Sequence, residues 1–300
     1  MDGFIIIDKS TGMTSHDVVN FVRRLTGMKR VGHTGTLDPF ATGVLPIAMG
    51  EATKAIPYLD EREKEYCATL KLGESTDTHD FTGRIIDNKE WRVVTPESLQ
   101  AAFSRFIGRQ SQLPPNYSAL KHKGVPLYRL ARKGKEIFKK PRDIEIFSLV
   151  IDRVCLPEVD FTVKCSRGTY IRKLAHDIGK ELDCGAHLIK LRRTASGPFT
   201  LINARSLDNL ALLAHDGFLK KIVISSYEAL KHLADYQVDE SGGIRVSQGI
   251  APRMNDFNSL RGAIKRDQVV RISSAGKLIA VAQMMDMGVE QQLKLLRVFH

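Results

Sequence analysis

Cysteine is scarce in this chain of 300 residues, and the four present, Cys67, Cys155, Cys165 and Cys184, form no C-x-x-C pair and no tight cluster. That spacing excludes a zinc site or a disulfide framework as the organising device and leaves reduced, mostly buried thiols as the expectation. Long apolar runs are missing as well. Phe4 to Ile7 is far too short for a signal-peptide core or a membrane span, so a cytoplasmic location with no membrane contact is expected. No G-x-G-x-x-G opens a helix, and G-x-x-x-x-G-K-[ST], H-E-x-x-H and G-x-S-x-G are all absent. Dinucleotide binding, phosphate-loop hydrolysis, zinc hydrolysis and serine-esterase chemistry lose their usual signatures. The nearest phosphate-loop lookalike, residues 43–50, is followed by Glu51 where a lysine is needed. Repeats and low-complexity tracts are lacking. Acidic residues are outnumbered 34 to 45 by Lys and Arg, a net charge of +11 that favours a polyanionic partner such as nucleic acid over mere solubility only in combination with a site.

What is present describes an ordinary folded protein, with 43% hydrophobic and 26% charged residues, long enough for one large domain and a smaller one. The class is α/β (α+β). Phe4 to Asp8 reads as a buried strand ending at Lys9-Ser10-Thr11-Gly12. A helix follows, with Thr14 or Ser15 as N-cap, Asp17 in its first turn and Gly27 at its end. Residues 29–50, KRVGHTGTLDPFATGVLPIAMG, are too rich in Gly and Pro for a helix and read as one shaped loop around a single carboxylate, a place where chemistry concentrates. Further strands are expected over 65–72, 84–87, 160–165, 269–272 and 278–282, with helices over 96–107, 171–182 and 223–233. The stretch 113–142 carries Lys121, Lys123, Arg129, Arg132, Lys133, Lys135, Lys139, Lys140 and Arg142 with Tyr117 and Tyr128 interspersed, which fits an arm on an RNA backbone or a solvated helical face.

Within residues 29–50 the block Gly32-His33-Thr34-Gly35-Thr36-Leu37-Asp38-Pro39, continued by Ala41-Thr42-Gly43-Val44-Leu45-Pro46, closely resembles the catalytic motif of the TruB family of tRNA pseudouridine synthases, G-H-x-G-x-L-D-P-x-A-x-G-x-L-P. The likeness extends to residues 112–121 and 124–132, to Gly168-Thr169-Tyr170-Ile171-Arg172-Lys173-Leu174, and to Leu191-Arg192-Arg193-Thr194 with Gly197. It is strong over residues 1 to about 205. The last sixty or so residues are only similar to small PUA-type RNA-binding domains. One departure is Lys9-Ser10, where the family usually has Lys-Pro.

The resemblance implies a pseudouridine-synthase catalytic domain over residues 1–234, including an RNA-gripping arm at 113–142, and a PUA-like RNA-binding domain over 235–300. It implies isomerisation of the uridine at position 55 in the T-loop of tRNA. That reaction breaks the N1 to C1′ bond and rejoins the base through C5 without redox change or phosphoryl transfer, so no cofactor and no metal are expected. The target base leaves its stack at a cost of about a few kcal/mol. Asp38 is the implied nucleophile, with attack at C1′, attack at uracil C6 and a glycal route all open to it, although Asp-Pro in general often only shapes a turn. Arg172, in the first turn of a helix begun at Thr169, is the implied ion-pair partner, and an adjacent cation is expected to lower the carboxylate pKa. Tyr66 corresponds to the stacking tyrosine, Tyr170 and Leu191 to pocket-lining positions, and His33 to a contact with the RNA around the vacated base. Lys133, Lys135, Lys139 and Lys140 are the implied phosphate contacts of the arm on the tRNA T-arm. Two other readings stand beside this one: a guide-RNA-dependent synthase of the dyskerin type, working within a multiprotein particle, and a non-catalytic RNA chaperone. The basic stretch 113–142 favours an enzyme that needs neither guide RNA nor obligate protein partner.

Overall fold

The computed structural model describes residues 1–115, 121–122, 125–126, 140–253, 256–260, 267–286 and 291–300. In chain order the first part runs β1 (Gly3–Lys9), α1 (Ser15–Thr26), β2 (Val31–His33), β3 (Thr42–Met49), a 3-10 segment (Gly50–Tyr58), β4 (Glu63–Leu72), β5 (Glu74–Thr76), β6 (Ile85–Asn88), α2 (Pro96–Arg105) and β7 (Gly108–Gln112). A short pair, β8 (Lys121–His122) and β9 (Val125–Pro126), precedes β10 (Arg142–Cys155), β11 (Glu158–Ser166), α3 (Ile171–Glu181), β12 (Ala186–Ser196) and β13 (Phe199–Thr200). After α4 (Leu207–His215) and α5 (Ser226–Ala229) come β14 (Ala234–Val238), α6 (Glu240–Ser247), β15 (Phe257–Leu260), β16 (Val269–Ser274), β17 (Lys277–Asp286) and β18 (Gln291–Val298). No helix among the described residues is long and apolar enough to cross a membrane.

Two main sheets result, and the fold is mixed α/β. The larger runs β1-β3-β12-β4-β11-β10-β7, with β2 on β3 and β13 on β12. The smaller runs β15-β14-β16-β17-β18. The larger sheet is antiparallel except where β12 meets β3, Arg192 opposite Thr42 and Arg193 opposite Gly43. On one face α2 and α3 bury Leu99, Phe103, Leu174 and Ile178 against Leu70, Phe161 and Leu188. The period-2 pleat of β1 sends Ile5 and Ile7 into that core, while Phe4 and Ile6 enter a second core shared with Val281 and Phe299 of the C-terminal part. Both faces of β1 are therefore covered, which is why it reads as an unbroken apolar run.

Most local expectations hold. Thr14 makes a capping box with Asp17 and Gly27 closes α1 in the left-handed region at φ 68°. Three do not. Residues 29–50 are not all loop, because β2 and β3 lie within them; Pro46 sits inside β3 and its carbonyl accepts from Thr34 N at 3.2 Å, so the missing N–H costs the sheet little. Residues 223–233 form only the one-turn α5, because Ile224 exchanges hydrogen bonds of 2.7 and 2.8 Å with Phe4 and so extends the edge of β1. Of the thiols expected to be mostly buried, Cys165 and Cys184 are buried but Cys67 and Cys155 are exposed, Cys67 on the uncovered face of β4 and Cys155 at the end of β10.

Phe161 is fully buried at the centre of this sheet and meets the Phe103 ring edge-on, 5.6 Å between centroids. Phe161→Ala is expected to cost about 3–5 kcal/mol in chemical denaturation. A loss below about 1 kcal/mol would mean that the α2 face of the sheet is not the core.

Candidate active site

The loop that carries Asp38 opens where β3 changes partner. Its second edge pairs with β12 at residues 42 and 43 and with β2 at residues 47 to 49, and the chain between His33 and Thr42 bulges through the gap. Gly43, at φ 99°, lets β12 approach so closely that a Cβ there would lie 2.2 Å from Arg193 O. The wholly buried Arg193 side chain fills the gap, donating from Nε to Val44 O at 2.7 Å and from Nη2 to Gly35 O at 3.1 Å.

The β1–α1 connection clamps the loop from the other side. Ser15 Oγ accepts from Leu37 N at 2.8 Å and donates to Leu37 O at 3.2 Å. Pro39 O accepts from Gly12 N at 2.9 Å and from Lys9 Nζ at 3.2 Å. Lys9 is fully buried and also donates to Ser10 O and Met13 O, at 2.9 and 2.8 Å. Burial pulls its ammonium down to about 8, with the charge of Asp38 acting in the opposite direction. At the Lys9-Ser10 departure, the serine carbonyl joins this ammonium cage while its side chain stays exposed.

α3 presents Arg172 in its first turn, and the guanidinium is shared by two carboxylates. Nε lies 2.8 Å from Asp38 Oδ2 and Nη2 3.2 Å from Asp38 Oδ1, a two-point grip. Nη1 reaches Asp80 Oδ2 at 3.1 Å and Thr78 O at 3.0 Å. Asp80 is fixed in turn by Thr78 Oγ1, Thr82 N and Thr82 Oγ1, and Asp80 and Arg172 are both buried. Next to it, His79 at φ 64° stacks on His176 of α3 with ring centroids 4.1 Å apart. Asp80 is not among the residues singled out in the sequence, where it lies between the strands expected over 65–72 and 84–87. Its signal is local: threonines two positions to either side of one aspartate, a pattern that ties a carboxylate to its own turn.

About a third of the Asp38 side chain remains open to a cleft of about 290 Å³. Tyr66, Leu191 and Tyr170 line that cleft with Asp38 and Arg172, so five residues singled out in the sequence converge there. Burial pushes the Tyr66 phenol up to about 12, which keeps it neutral. Tyr170 is anchored through its backbone, donating to Gln112 Oε1 at 2.8 Å and accepting from Gln112 Nε2 at 3.2 Å. His33 is not among the lining residues; it sits half-buried on β2, its imidazole held below its ordinary value by burial and by Arg193. Lys140 is exposed just before β10. Lys133, Lys135 and Lys139 lie outside the described residues.

The electrostatics of Asp38 differ from the sequence-based expectation in sign. Burial raises its carboxyl and outweighs the pull of Arg172, and the like charge of Asp80 adds to the rise. Removing that like charge should lower the carboxyl. In Asp80→Asn, the Asp38 Cγ resonance of ¹³C-labelled protein is expected to titrate at lower pH than in the parent; an unmoved or higher midpoint would contradict the shared-guanidinium geometry.

Comparison with known proteins agrees with this arrangement. Residues 23–171 match the N-terminal domain of TruB family pseudouridylate synthases, and residues 172–231 match the C-terminal domain of tRNA pseudouridylate synthase B. The chain is 54% identical to tRNA pseudouridine synthase B of Geotalea uraniireducens, over 100% of this chain and 98% of that one. Its identity to the Geobacter sulfurreducens protein of the same name is 51%, over 100% of both. Among solved structures it is similar to a Cbf5-Nop10-Gar1 complex, with a TM-score of 0.77 and 28% identity over 99% of this chain and 85% of that one. Matched along its whole length by relatives of more than half identity, the chain belongs to the TruB family of pseudouridylate synthases and is an isomerase.

Proposed function

We propose that the protein isomerises the uridine at position 55 of the tRNA T-loop to pseudouridine, using a flipped base, a catalytic aspartate and no cofactor or metal. The observation that carries this reading is Asp38 itself: a carboxylate gripped at two points by Arg172, open on one side to a cleft walled by Tyr66 and Leu191. In that cleft the base stacks on Tyr66, and Asp38 acts as nucleophile at the glycosidic centre. Asp38 displaces N1 from C1′, C5 of the turned base then displaces the Asp38 carboxylate to form the C5–C1′ bond, the C5 proton leaves and N1 gains one, so nothing is oxidised or reduced. Arg172 orients Asp38 and favours its charged form, Tyr170 and Leu191 shape the walls, and His33 meets the RNA near the vacated base position. Lys133, Lys135, Lys139 and Lys140 grip phosphates of the T-arm from the 113–142 segment. Residues 1–234 form the catalytic domain, and residues 235–300 add a PUA-like RNA-binding surface.

The relatives at 54% and 51% identity are tRNA pseudouridine synthases matched end to end, which supports a stand-alone enzyme in the cytoplasm. The likeness to Cbf5 complexes, at 28% identity, favours the guide-dependent alternative less. Purified protein alone, given a tRNA transcript tritiated at uridine C5, is expected to release tritium from one site per molecule. Asp38→Asn should abolish release while keeping tRNA affinity, since the amide preserves shape and loses the charge. Release only on adding guide RNA would favour the other reading, and variant activity within about tenfold of the parent would remove Asp38 from the chemistry.

A further inference from the structure

One group in the cleft has no part in the chemistry described above. Lys64 lies on β4 two residues before Tyr66, hence on the same face of the sheet, and lines the same cleft. It is 8% exposed, and among the described residues its ammonium has neither a hydrogen-bond nor an ion-pair partner. Its Nζ stands 2.6 Å from the point where a Cβ on Gly35 would lie, and Arg193 Nη1 stands 3.7 Å from that same point. Arg193 Nη1 is buried and makes no hydrogen bond, although Nε and Nη2 of the same guanidinium are satisfied and the Tyr66 hydroxyl lies near enough to feel its pull. An ammonium facing the cleft and an unmet guanidinium N–H thus both lie behind Gly35.

Nothing in the fold explains the placement as a stabilising device. A buried, unpaired ammonium costs free energy, and a second cation beside it adds repulsion. Burial, Arg193 and Arg167 together bring Lys64 down to about 8, against the opposing pull of Glu61 and, more weakly, Cys165. Glu61 is itself buried and accepts from Ser196 Oγ at 3.4 Å, so one anion faces several cations. Arg142 and Arg167, both exposed, continue the positive surface at the rim of the cleft.

Building on the reading of an RNA substrate whose base enters the cleft, we propose that Lys64, seated by Arg193 and continued by Arg142 and Arg167, is a phosphate pocket for a backbone phosphodiester flanking the flipped uridine. Charge selects phosphate over a base carbonyl. Only the phosphodiester brings a full negative charge to a cluster whose cations outnumber its one carboxylate, and its two non-bridging oxygens suit one ammonium and one rim guanidinium. The position fits the topology of a polymer: the base goes inward along Tyr66 and Leu191, and the backbone stays where the exposed arginines stand. Such a contact fixes the register of the nucleotide over Asp38 without taking part in bond rearrangement.

The test measures affinity for a synthetic T-arm stem–loop. Each of the two linkages flanking the target uridine is made in turn a neutral methylphosphonate, with a 2′-O-methyl ribose before it and the same ribose in the charged control. On charged RNA, Lys64→Met should weaken binding about tenfold and Lys64→Arg should recover most of the loss. At one linkage, neutralisation should weaken the parent by a comparable factor, and Lys64→Met should then lose nothing more. Equal losses for Lys64→Met on charged and neutral RNAs at both linkages would overturn the proposal. So would undiminished parent affinity for both neutral RNAs, a result that does not depend on how well the variant folds. Failure of the parent to convert the unmodified stem–loop would instead overturn the substrate reading, and the phosphate pocket with it.

Discussion

The site depends on one guanidinium held between two carboxylates. Arg172 comes from α3, Asp38 from the β2–β3 loop and Asp80 from the β5–β6 connection, so three segments far apart in sequence are fixed at a single ion triad. All three groups are wholly or largely withdrawn from water, where losing one partner leaves an uncompensated charge and costs far more than an exposed salt bridge is worth. The consequence for Asp38 is geometric before it is electrostatic. A carboxylate gripped at two points has one orientation, and the side left open faces the cleft. Its raised carboxyl shows that burial is the larger influence, with Arg172 supplying the opposing pull that favours the ionised form.

The scaffold reaches this arrangement through an interrupted strand pairing. β3 leaves β12 after residue 43 and takes up β2 at residue 47, and the space between would expose backbone carbonyls if nothing entered it. Arg193 enters it, and its hydrogen bonds to Val44 O and Gly35 O replace the missing ladder. The same substitution of a long cationic side chain for a strand places Arg193 Nη1 beside Lys64, so positive charge in the cleft follows from how the loop is held open. Lys9 plays the matching part on the far side, where its buried ammonium ties Pro39 to the turn after β1.

How much of this was legible in the sequence depended on whether the signal was local. The Thr14 and Asp17 capping box, the Gly27 stop and the apolar stripe of α3 are written in adjacent residues and appear where expected. Asp38, Arg172, Tyr170 and Leu191 stand out by resemblance of whole blocks and Tyr66 by correspondence to a single stacking tyrosine, and the fold brings all five to one cleft. What was missed needed partners distant in sequence. β3 looked like loop because its glycine and proline are tolerated only by what packs around them. Residues 223–233 looked helical because their apolar spacing says nothing of the hydrogen bonds Ile224 makes to Phe4. The threonines at 78 and 82 tie Asp80 to its own turn, but only the fold sets it against Arg172. His33 belongs to a motif and still stands outside the cleft lining, a reminder that a block of residues can share a loop without sharing a surface.

Beyond its like charge, Asp80 acts on the chemistry chiefly through the guanidinium of Arg172 that it shares with Asp38. A double-mutant cycle on the single-turnover rate with saturating protein tests this most directly, combining Asp80→Asn with Arg172→Gln. If the guanidinium is the shared element, Asp80→Asn should slow the parent by about tenfold or more and change the rate by less than about threefold once Arg172 is gone. Equal losses in the two backgrounds would show that the two residues act independently and that the triad does not organise the site.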